Sequence, residues 1–110
     1  MNLPRILARR TMSTGIREWT LEEIMSTRPV LIDVRETDEY AAGTMPAAHS
    51  LPLSSLPTWS AACPVTGPEV VFFCERGVRA RKAAEAVRGK WPVEIGVYAG
   101  SMCEWRRRCH

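Results

Sequence analysis

The sequence has no apolar run close to the roughly 18 residues that a membrane-spanning helix needs. Its four cysteines, Cys63, Cys74, Cys103 and Cys109, include no CxxC pair, and their spacing fits neither a zinc ribbon nor a disulfide framework. Glycine-rich phosphate-binding motifs, metal-ligand spacings and serine hydrolase motifs are also absent. These absences argue against a membrane protein and against a metal or disulfide scaffold, and they favour a reducing compartment.

The composition is typical of one globular domain. The 110 residues, 45% hydrophobic and 25% charged, are enough for a buried core. The net charge is +3, but residues 1–17 carry +4 because they hold four arginines and no acid, which leaves −1 for the rest. The body of the protein therefore has no general polyanion-binding signature. We expect neither a nucleic-acid partner nor a membrane partner.

The first 15 residues are an arginine-rich leader or tail. They contain hydroxyl residues and lack acids, as mitochondrial presequences do, although Pro4 weakens a helix there. Met12 is an alternative start that would leave no targeting signal. We expect a globular domain over residues 16–110 in a cytoplasmic protein, or in a protein of the mitochondrial matrix if residues 1–15 act as a presequence.

Short apolar runs alternate with helical patterns along this domain. The runs predict strands at residues 30–34, 70–73 and 93–98. Helices are predicted by capping boxes at 20–23 and 101–104, by helical residues at 35–42 and by apolar spacing at 80, 83, 84 and 87. The helix that begins at 101–104 is predicted to run through Trp105. Residues 44–68 hold five of the eight prolines and are predicted to be loop with short helical pieces. This alternation predicts an α/β fold with parallel strand pairs.

Cys74 and Asp33 each lie at the carboxyl end of a predicted strand, which is where such folds bind ligands. The turn after Cys74 contains Gly77 and leads into a helix, so backbone N–H groups and the positive helix end would face the thiol. Both effects favour the thiolate, which predicts a nucleophilic cysteine. The alternative is a buried structural cysteine, since free cysteine packs as a small hydrophobe.

Basic residues concentrate around that turn. Residues 74–90 carry six bases against two acids, and the bases are Arg76, Arg79, Arg81, Lys82, Arg88 and Lys90. Such a cluster would attract a small anionic substrate. A solvated helix face is the alternative explanation for some of these charges, above all Lys82, Arg88 and Lys90.

Four segments resemble the motifs of single-domain rhodaneses. The Asp-Val-Arg motif matches residues 31–35, and the Glu-Tyr, glycine and proline-alanine segment matches residues 39–48. The active loop, with cysteine first, glycine fourth and arginine sixth, matches residues 74–79, and the closing glycine-to-tryptophan signature matches residues 98–105. The resemblance covers about residues 16–108, and it is greatest to the short thiosulfate–glutathione sulfurtransferase type.

Some positions depart from the family pattern. Thr44 stands where the family often has His, Ala47 where it often has Gly, and Ala99 replaces the first Gly of the closing pair. The chain also stops soon after Trp105, which predicts a short last helix. We expect these differences to affect packing at the edges more than the chemistry.

The resemblance implies a rhodanese-like fold, a central mostly parallel sheet flanked by helices on both faces. It also implies a sulfurtransferase in which Cys74 takes the outer sulfur of thiosulfate as a persulfide and passes it to a thiol such as glutathione, or to cyanide in vitro. The loop residues that would bind the substrate are Glu75, Arg76, Gly77, Val78 and Arg79. No cofactor and no metal are implied, and we expect a monomer, with a weak homodimer as the alternative.

The two loop arginines have different expected roles. Arg76 would recognise the thiosulfate dianion, with an exposed loop charge as the alternative. Arg79 would brace the loop through a nearby carboxylate, for which Asp33 and Glu75 are the candidates.

Several residues outside the loop are expected to support it. Asp33 would be a structural hydrogen-bonding group, and Arg35 would pair with Glu39 one helical turn later. Cys103 would be a buried packing residue or, alternatively, a second thiol that receives sulfur from Cys74. Of the four tryptophans, Trp59 is the best candidate to border the mouth of the site.

Two other functions compete with sulfur transfer. Related folds carry cysteine-based phosphatases and arsenate reductases, but a phosphatase loop needs five residues between cysteine and arginine, whereas four separate Cys74 from Arg79. The second rival is a regulatory or docking module without catalysis, or one that carries a persulfide to a protein partner. The retained cysteine and the basic loop favour the enzyme over such a module.

Overall fold

The computed structural model describes residues 15–109, which contain a five-stranded sheet with helices on both faces. Its strands are β1 (Arg17–Trp19), β2 (Val30–Asp33), β3 (His49–Ser50), β4 (Glu69–Phe73) and β5 (Glu94–Tyr98), in the order β1-β5-β4-β2-β3. Each neighbouring pair is parallel. The predicted α/β fold with a parallel central sheet is therefore confirmed.

Five α-helices lie in the described part of the chain. They are α1 (Leu21–Thr27), α2 (Thr37–Ala42), α3 (Leu56–Trp59), α4 (Val78–Val87) and α5 (Met102–Cys109), and a 3-10 helix at Leu53–Ser55 precedes α3. The predicted capping box opens α1, because the Glu23 N–H donates to the Thr20 hydroxyl at 3.1 Å and the Thr20 N–H to the Glu23 carboxylate at 2.8 Å. Helix α2 begins two residues later than predicted because Glu36 is still extended and caps it.

The central strand β4 is apolar throughout because helices cover both faces of the sheet. Val70 and Phe72 point to the face covered by α3 and α4, while Val71 and Phe73 point to the face covered by α1 and α5. All four side chains are fully buried. This double burial removes the alternation of polar and apolar residues that a sheet open to water on one face would show.

The two edge strands, β1 and β3, are not predicted by the sequence. Strand β1 is only Arg-Glu-Trp and has no apolar run, and β3 has two residues within the proline-rich segment. Their extended conformation comes from pairing with a neighbour, since Trp19 is in register with Tyr98 and His49 with Ile32. Short local sequences of this kind are strands only because an adjacent strand presents free backbone groups.

The last helix is longer than predicted, continuing past Trp105 to Cys109. As the predicted capping box requires, the Glu104 N–H donates to the Ser101 hydroxyl, at 3.2 Å. The Glu104 carboxylate, however, accepts a hydrogen bond from the Tyr98 hydroxyl at the end of β5. Half of the predicted box is thus replaced by a contact that ties α5 to the sheet.

Nothing among residues 15–109 forms a helix that is both long and apolar enough to cross a membrane. Residues 1–14 of the predicted leader lie outside the described residues. The division of the chain into a leader and a domain therefore stays a prediction.

Candidate active site

Cys74 lies between the end of β4 and the start of α4, as the sequence predicts, and its side chain is 2% exposed. Its Sγ accepts hydrogen bonds from the backbone N–H of Gly77 at 3.0 Å and of Ala80 at 3.3 Å. Gly77 has φ +101°, in the left-handed region that glycine adopts without a steric penalty, and this lets the loop turn back over the sulfur. Two backbone donors at a helix start therefore face the thiol, which is an arrangement suited to an anionic sulfur.

A cavity of about 270 Å³ opens at this cysteine. Its lining residues all come from the loop and the start of α4: Cys74, Glu75, Arg76, Val78 and Arg79. Arg76 is exposed and makes no hydrogen bond or ion pair with any other residue of the described chain, so its guanidinium is available to an anion in the cavity. Val78 is also exposed, at 66%, and forms an apolar part of the rim.

Arg79 braces the loop as predicted, but its partner is neither Asp33 nor Glu75. Its guanidinium binds the Glu39 carboxylate with two hydrogen bonds, at 2.8 and 3.2 Å. The hydrogen bond from Arg79, together with that from the Glu36 backbone N–H, lowers the pKa of Glu39 from its usual 4.5 to about 2. The expected partners are wrong because the sequence does not place α2 beside the start of α4.

Asp33 and Arg35 form a buried ion pair at the carboxyl end of β2. The Asp33 carboxylate accepts from the Arg35 backbone N–H at 2.9 Å and from its guanidinium at 2.8 to 3.2 Å, and also from the Thr44 hydroxyl at 2.8 Å. The predicted pairing of Arg35 with Glu39 is therefore wrong. Burial opposes the charge of Arg35, but its hydrogen bonds and ion pairing with Asp33 outweigh this and raise its pKa.

Glu75 lines the Cys74 cavity, but its polar groups contact residues outside the loop. Its carboxylate is 3.6 Å from Arg35 and 3.2 Å from Arg106 of α5, and its backbone carbonyl accepts the Met102 N–H at 3.1 Å. A neighbouring cavity of about 430 Å³ lies here, with Trp105 in its wall. The start of α5 is therefore fixed against the active loop.

The contacts of three residues that shape this region are not predicted by the sequence. Glu39 lies in the recognised Glu-Tyr segment, but its partner Arg79 is far away in the sequence. Thr44 is singled out only as a departure from the family pattern, although its hydroxyl binds Asp33. Arg106 carries no local signal beyond a run of three arginines, and only the fold brings it to Glu75.

The remaining cysteine and tryptophan predictions have mixed outcomes. Cys103 is exposed, so its expected role as a buried packing residue is wrong, and its Sγ lies 3.8 Å from an Arg107 nitrogen. Trp59 is buried in the core, with its ring centroid 6.1 Å from that of Phe72, and does not line the Cys74 cavity. Within residues 15–109 no group of three or more His, Cys, Asp or Glu side chains could hold a metal ion.

Together, the fold and the loop define a parallel α/β domain with a cysteine held at a helix start. The rhodanese-like domain family matches residues 17–108 of the chain. Human thiosulfate:glutathione sulfurtransferase is 35% identical over 95 residues, which are 74% of this chain and 83% of the human protein. The mitochondrial thiosulfate sulfurtransferase RDL2 of Saccharomyces cerevisiae is 32% identical over 97 residues, or 77% of this chain, and the match spans 65% of that relative's length.

Solved structures give the same result. The human single-domain sulfurtransferase TSTD1 is similar with a TM-score of 0.72 at 30% identity, over 84% of this chain and 97% of that one. The structure of RDL2 from Saccharomyces cerevisiae is similar with a TM-score of 0.73 at 25% identity, over 89% of this chain and 94% of that one. The chain therefore belongs to the rhodanese-like family, and its relatives confirm the prediction of an enzyme of the sulfurtransferase class.

Proposed function

We propose that this protein transfers sulfane sulfur from thiosulfate to glutathione through a persulfide on Cys74. The Cys74 thiolate attacks the outer sulfur of thiosulfate, and sulfite leaves with the electron pair of the S–S bond that breaks. The glutathione thiolate then attacks the outer sulfur of the persulfide, which gives glutathione persulfide and restores the Cys74 thiolate. The two half-reactions balance without an added oxidant or reductant, and the kinetics are ping-pong.

One observation carries the proposal, the pair of backbone hydrogen bonds from Gly77 and Ala80 to the Cys74 sulfur. Donors fixed in this way stabilise negative charge on sulfur at the reacting centre without having to reorganise, as an oxyanion hole does for oxygen. The exposed guanidinium of Arg76 lies on the rim of the same cavity, where it can bind the sulfonate end of thiosulfate. The name of the human relative supports this choice of donor and acceptor.

The test is the intact mass of the protein after incubation with thiosulfate. We expect wild type to gain one sulfur, about 32 Da, and glutathione or cyanide to remove it. Cys74→Ser should gain nothing, while the control Cys103→Ser, which removes an exposed thiol, should gain one sulfur as wild type does. Absence of added sulfur on a wild-type thiol that still reacts with an alkylating reagent would refute the proposal, and turnover of an aryl phosphate would favour the phosphatase alternative.

The compartment is a separate prediction, cytoplasmic or mitochondrial. Two relatives carry "mitochondrial" in their names, which supports the alternative that residues 1–15 act as a presequence. Fluorescent fusions of the full chain and of a chain that begins at Met12 distinguish the two. Mitochondrial fluorescence of only the longer fusion supports a presequence, and cytoplasmic fluorescence of both supports the cytoplasmic prediction.

A further inference from the structure

A second cleft, of about 470 Å³, lies beside the Cys74 cavity and shares Arg76 and Val78 with it. Its opposite wall comes from Glu18 of β1 and the carboxyl end of β5. The α4 residues that line it are Val78, Arg81, Lys82 and Glu85. This i, i+3, i+4, i+7 spacing forms one helix face roughly 10 Å long, which runs away from the active loop. The cleft is large enough for a small ligand, and the two shared residues place it next to the cavity that Cys74 lines.

The charges in this cleft are only partly compensated. Arg81 pairs with Glu18 across the cleft at 3.3 Å. Arg76, Lys82 and Glu85, in contrast, make no hydrogen bond or ion pair through their side chains with any residue of 15–109, and all three are exposed. The cleft therefore offers two cations and one carboxylate without a protein partner among the described residues.

In the cavity of about 430 Å³ that adjoins Glu75, by contrast, the charged side chains already have partners. Its four charged residues are all engaged, as Arg35 binds Asp33, Glu39 binds Arg79, and Glu75 binds Arg106. A charged ligand there would have to compete with existing ion pairs. The cleft along α4 is thus the better site for a ligand that carries several charges.

We propose that this cleft is the acceptor site and that it recognises a peptide thiol with two carboxylates and one ammonium, the charge pattern of glutathione. This inference rests on the proposed function. Lys82 binds the α-carboxylate and Glu85 the ammonium of the γ-glutamyl end, since these groups share one carbon and the two side chains are neighbours on the helix surface. Arg76 binds the glycine carboxylate, which directs the thiol between the two ends toward Cys74.

Arg76 can serve both half-reactions because they are separated in time. In a ping-pong cycle sulfite leaves before the acceptor thiol reacts, so the guanidinium is released for a second anion. Lys82 and Glu85 do not line the Cys74 cavity, so they bind the acceptor and not the sulfur donor. Substitution of these two residues should therefore separate recognition of the acceptor from formation of the persulfide.

The experiment prepares the persulfide with thiosulfate, removes the excess donor and follows loss of the added sulfur by mass. The variants are Lys82→Gln, Glu85→Gln and the double variant, and Lys90→Gln is the control, since it makes the same charge change on an exposed lysine outside the cleft. The acceptors are glutathione, cysteinylglycine, which lacks the γ-glutamyl end, and uncharged 2-mercaptoethanol. Dividing the rate of each acceptor in a variant by its rate in wild type cancels the intrinsic reactivity of that thiol, and these ratios are then compared between acceptors.

We expect each single substitution to slow the reaction with glutathione about threefold, and the double substitution about tenfold, as loss of exposed ion pairs would. The preference for glutathione over cysteinylglycine should shrink by the same factor, while the 2-mercaptoethanol rate and the Lys90→Gln variant stay as in wild type. An unchanged preference in the double variant would overturn the proposal, as would equal slowing with glutathione and 2-mercaptoethanol. Failure of wild type to form a persulfide would instead refute the proposed function, before any acceptor is added.

Discussion

Arg79 at the start of α4 and Glu39 of α2 form a two-point ion pair between residues 40 positions apart in the chain. Near the first residues of the loop, Arg35 contacts both the buried Asp33 and the loop residue Glu75. The active loop is therefore held by ion pairs at Glu75 and at Arg79. These contacts fix the backbone whose N–H groups point at the Cys74 sulfur.

The Glu39–Arg79 pair should contribute to stability in a pH-dependent way. The pKa of Glu39 is lowered from 4.5 to about 2, so its contribution is fully present above the usual value of 4.5 and is lost as the pH falls through about 2. We expect Glu39→Gln to lower the free energy of unfolding at neutral pH by at most about 1 kcal/mol, because the pair is one-third exposed. Urea unfolding between pH 4.5 and about 2 should show that the free energy of unfolding falls less for the variant than for wild type.

Asp38→Asn is the matched control for this experiment, because Asp38 is exposed in the same helix and forms no ion pair within the described chain. It should follow the wild-type pH dependence. A Glu39→Gln curve parallel to that of wild type would contradict a role of the pair in acid stability.

The buried Asp33–Arg35 pair should be far more important for folding. Removal of one partner leaves an uncompensated buried charge, so we expect Arg35→Met and Asp33→Asn each to cost about 3–5 kcal/mol in the free energy of unfolding. The double variant should cost less than the sum of the two, since it leaves no isolated charge. Denaturant unfolding measures all three, and a strictly additive result would mean that the two side chains do not stabilise each other.

Two glycines allow the loop geometry to be tested separately from backbone strain. Gly77 and Gly89 both have positive φ, +101° and +84°, and a Cβ at either position meets no atom closer than 3.9 Å. Substitution by alanine should therefore destabilise the fold by about 1–2 kcal/mol in both cases. Only Gly77→Ala should also slow persulfide formation, because a Cβ at this positive φ strains the backbone and shifts the residue 77 N–H that donates to Cys74. Equal rates of persulfide formation in the two variants would argue against a role of this hydrogen bond.

Arg76→Gln should weaken donor binding without affecting the fold. Since Arg76 has no partner among residues 15–109, we expect an unchanged free energy of unfolding and a KM for thiosulfate raised about fivefold, as for an exposed ion pair. Arg107→Gln removes another exposed arginine, which lies outside the Cys74 cavity, and should keep the wild-type KM. If both variants raise KM equally, Arg76 contributes only to the general positive potential.

The sequence predicts those features of the site that depend on residues close together in the chain. The strand, turn and helix around Cys74 occupy one continuous segment, so the position of the thiol and the place of Gly77 follow from apolar runs, a glycine and helical spacing. The double burial of β4 is likewise visible as an uninterrupted apolar run. Even the capping box of α1 is a pattern within four residues, and it forms as predicted.

By itself, then, the sequence determined the α/β class, the place of Cys74 directly after a central strand and the basic loop that follows it, because each of these depends on neighbouring residues. Only the tertiary structure decided that Arg79 binds Glu39 and that β1 and β3 complete the sheet. It also placed Lys82, which the sequence alone can explain as part of a solvated helix face, together with Glu85 in a cleft beside the Cys74 cavity. These outcomes depend on which elements become neighbours in the fold. The partner of the ion pair or of the edge strand comes from a distant part of the sequence, so an isolated segment does not reveal it.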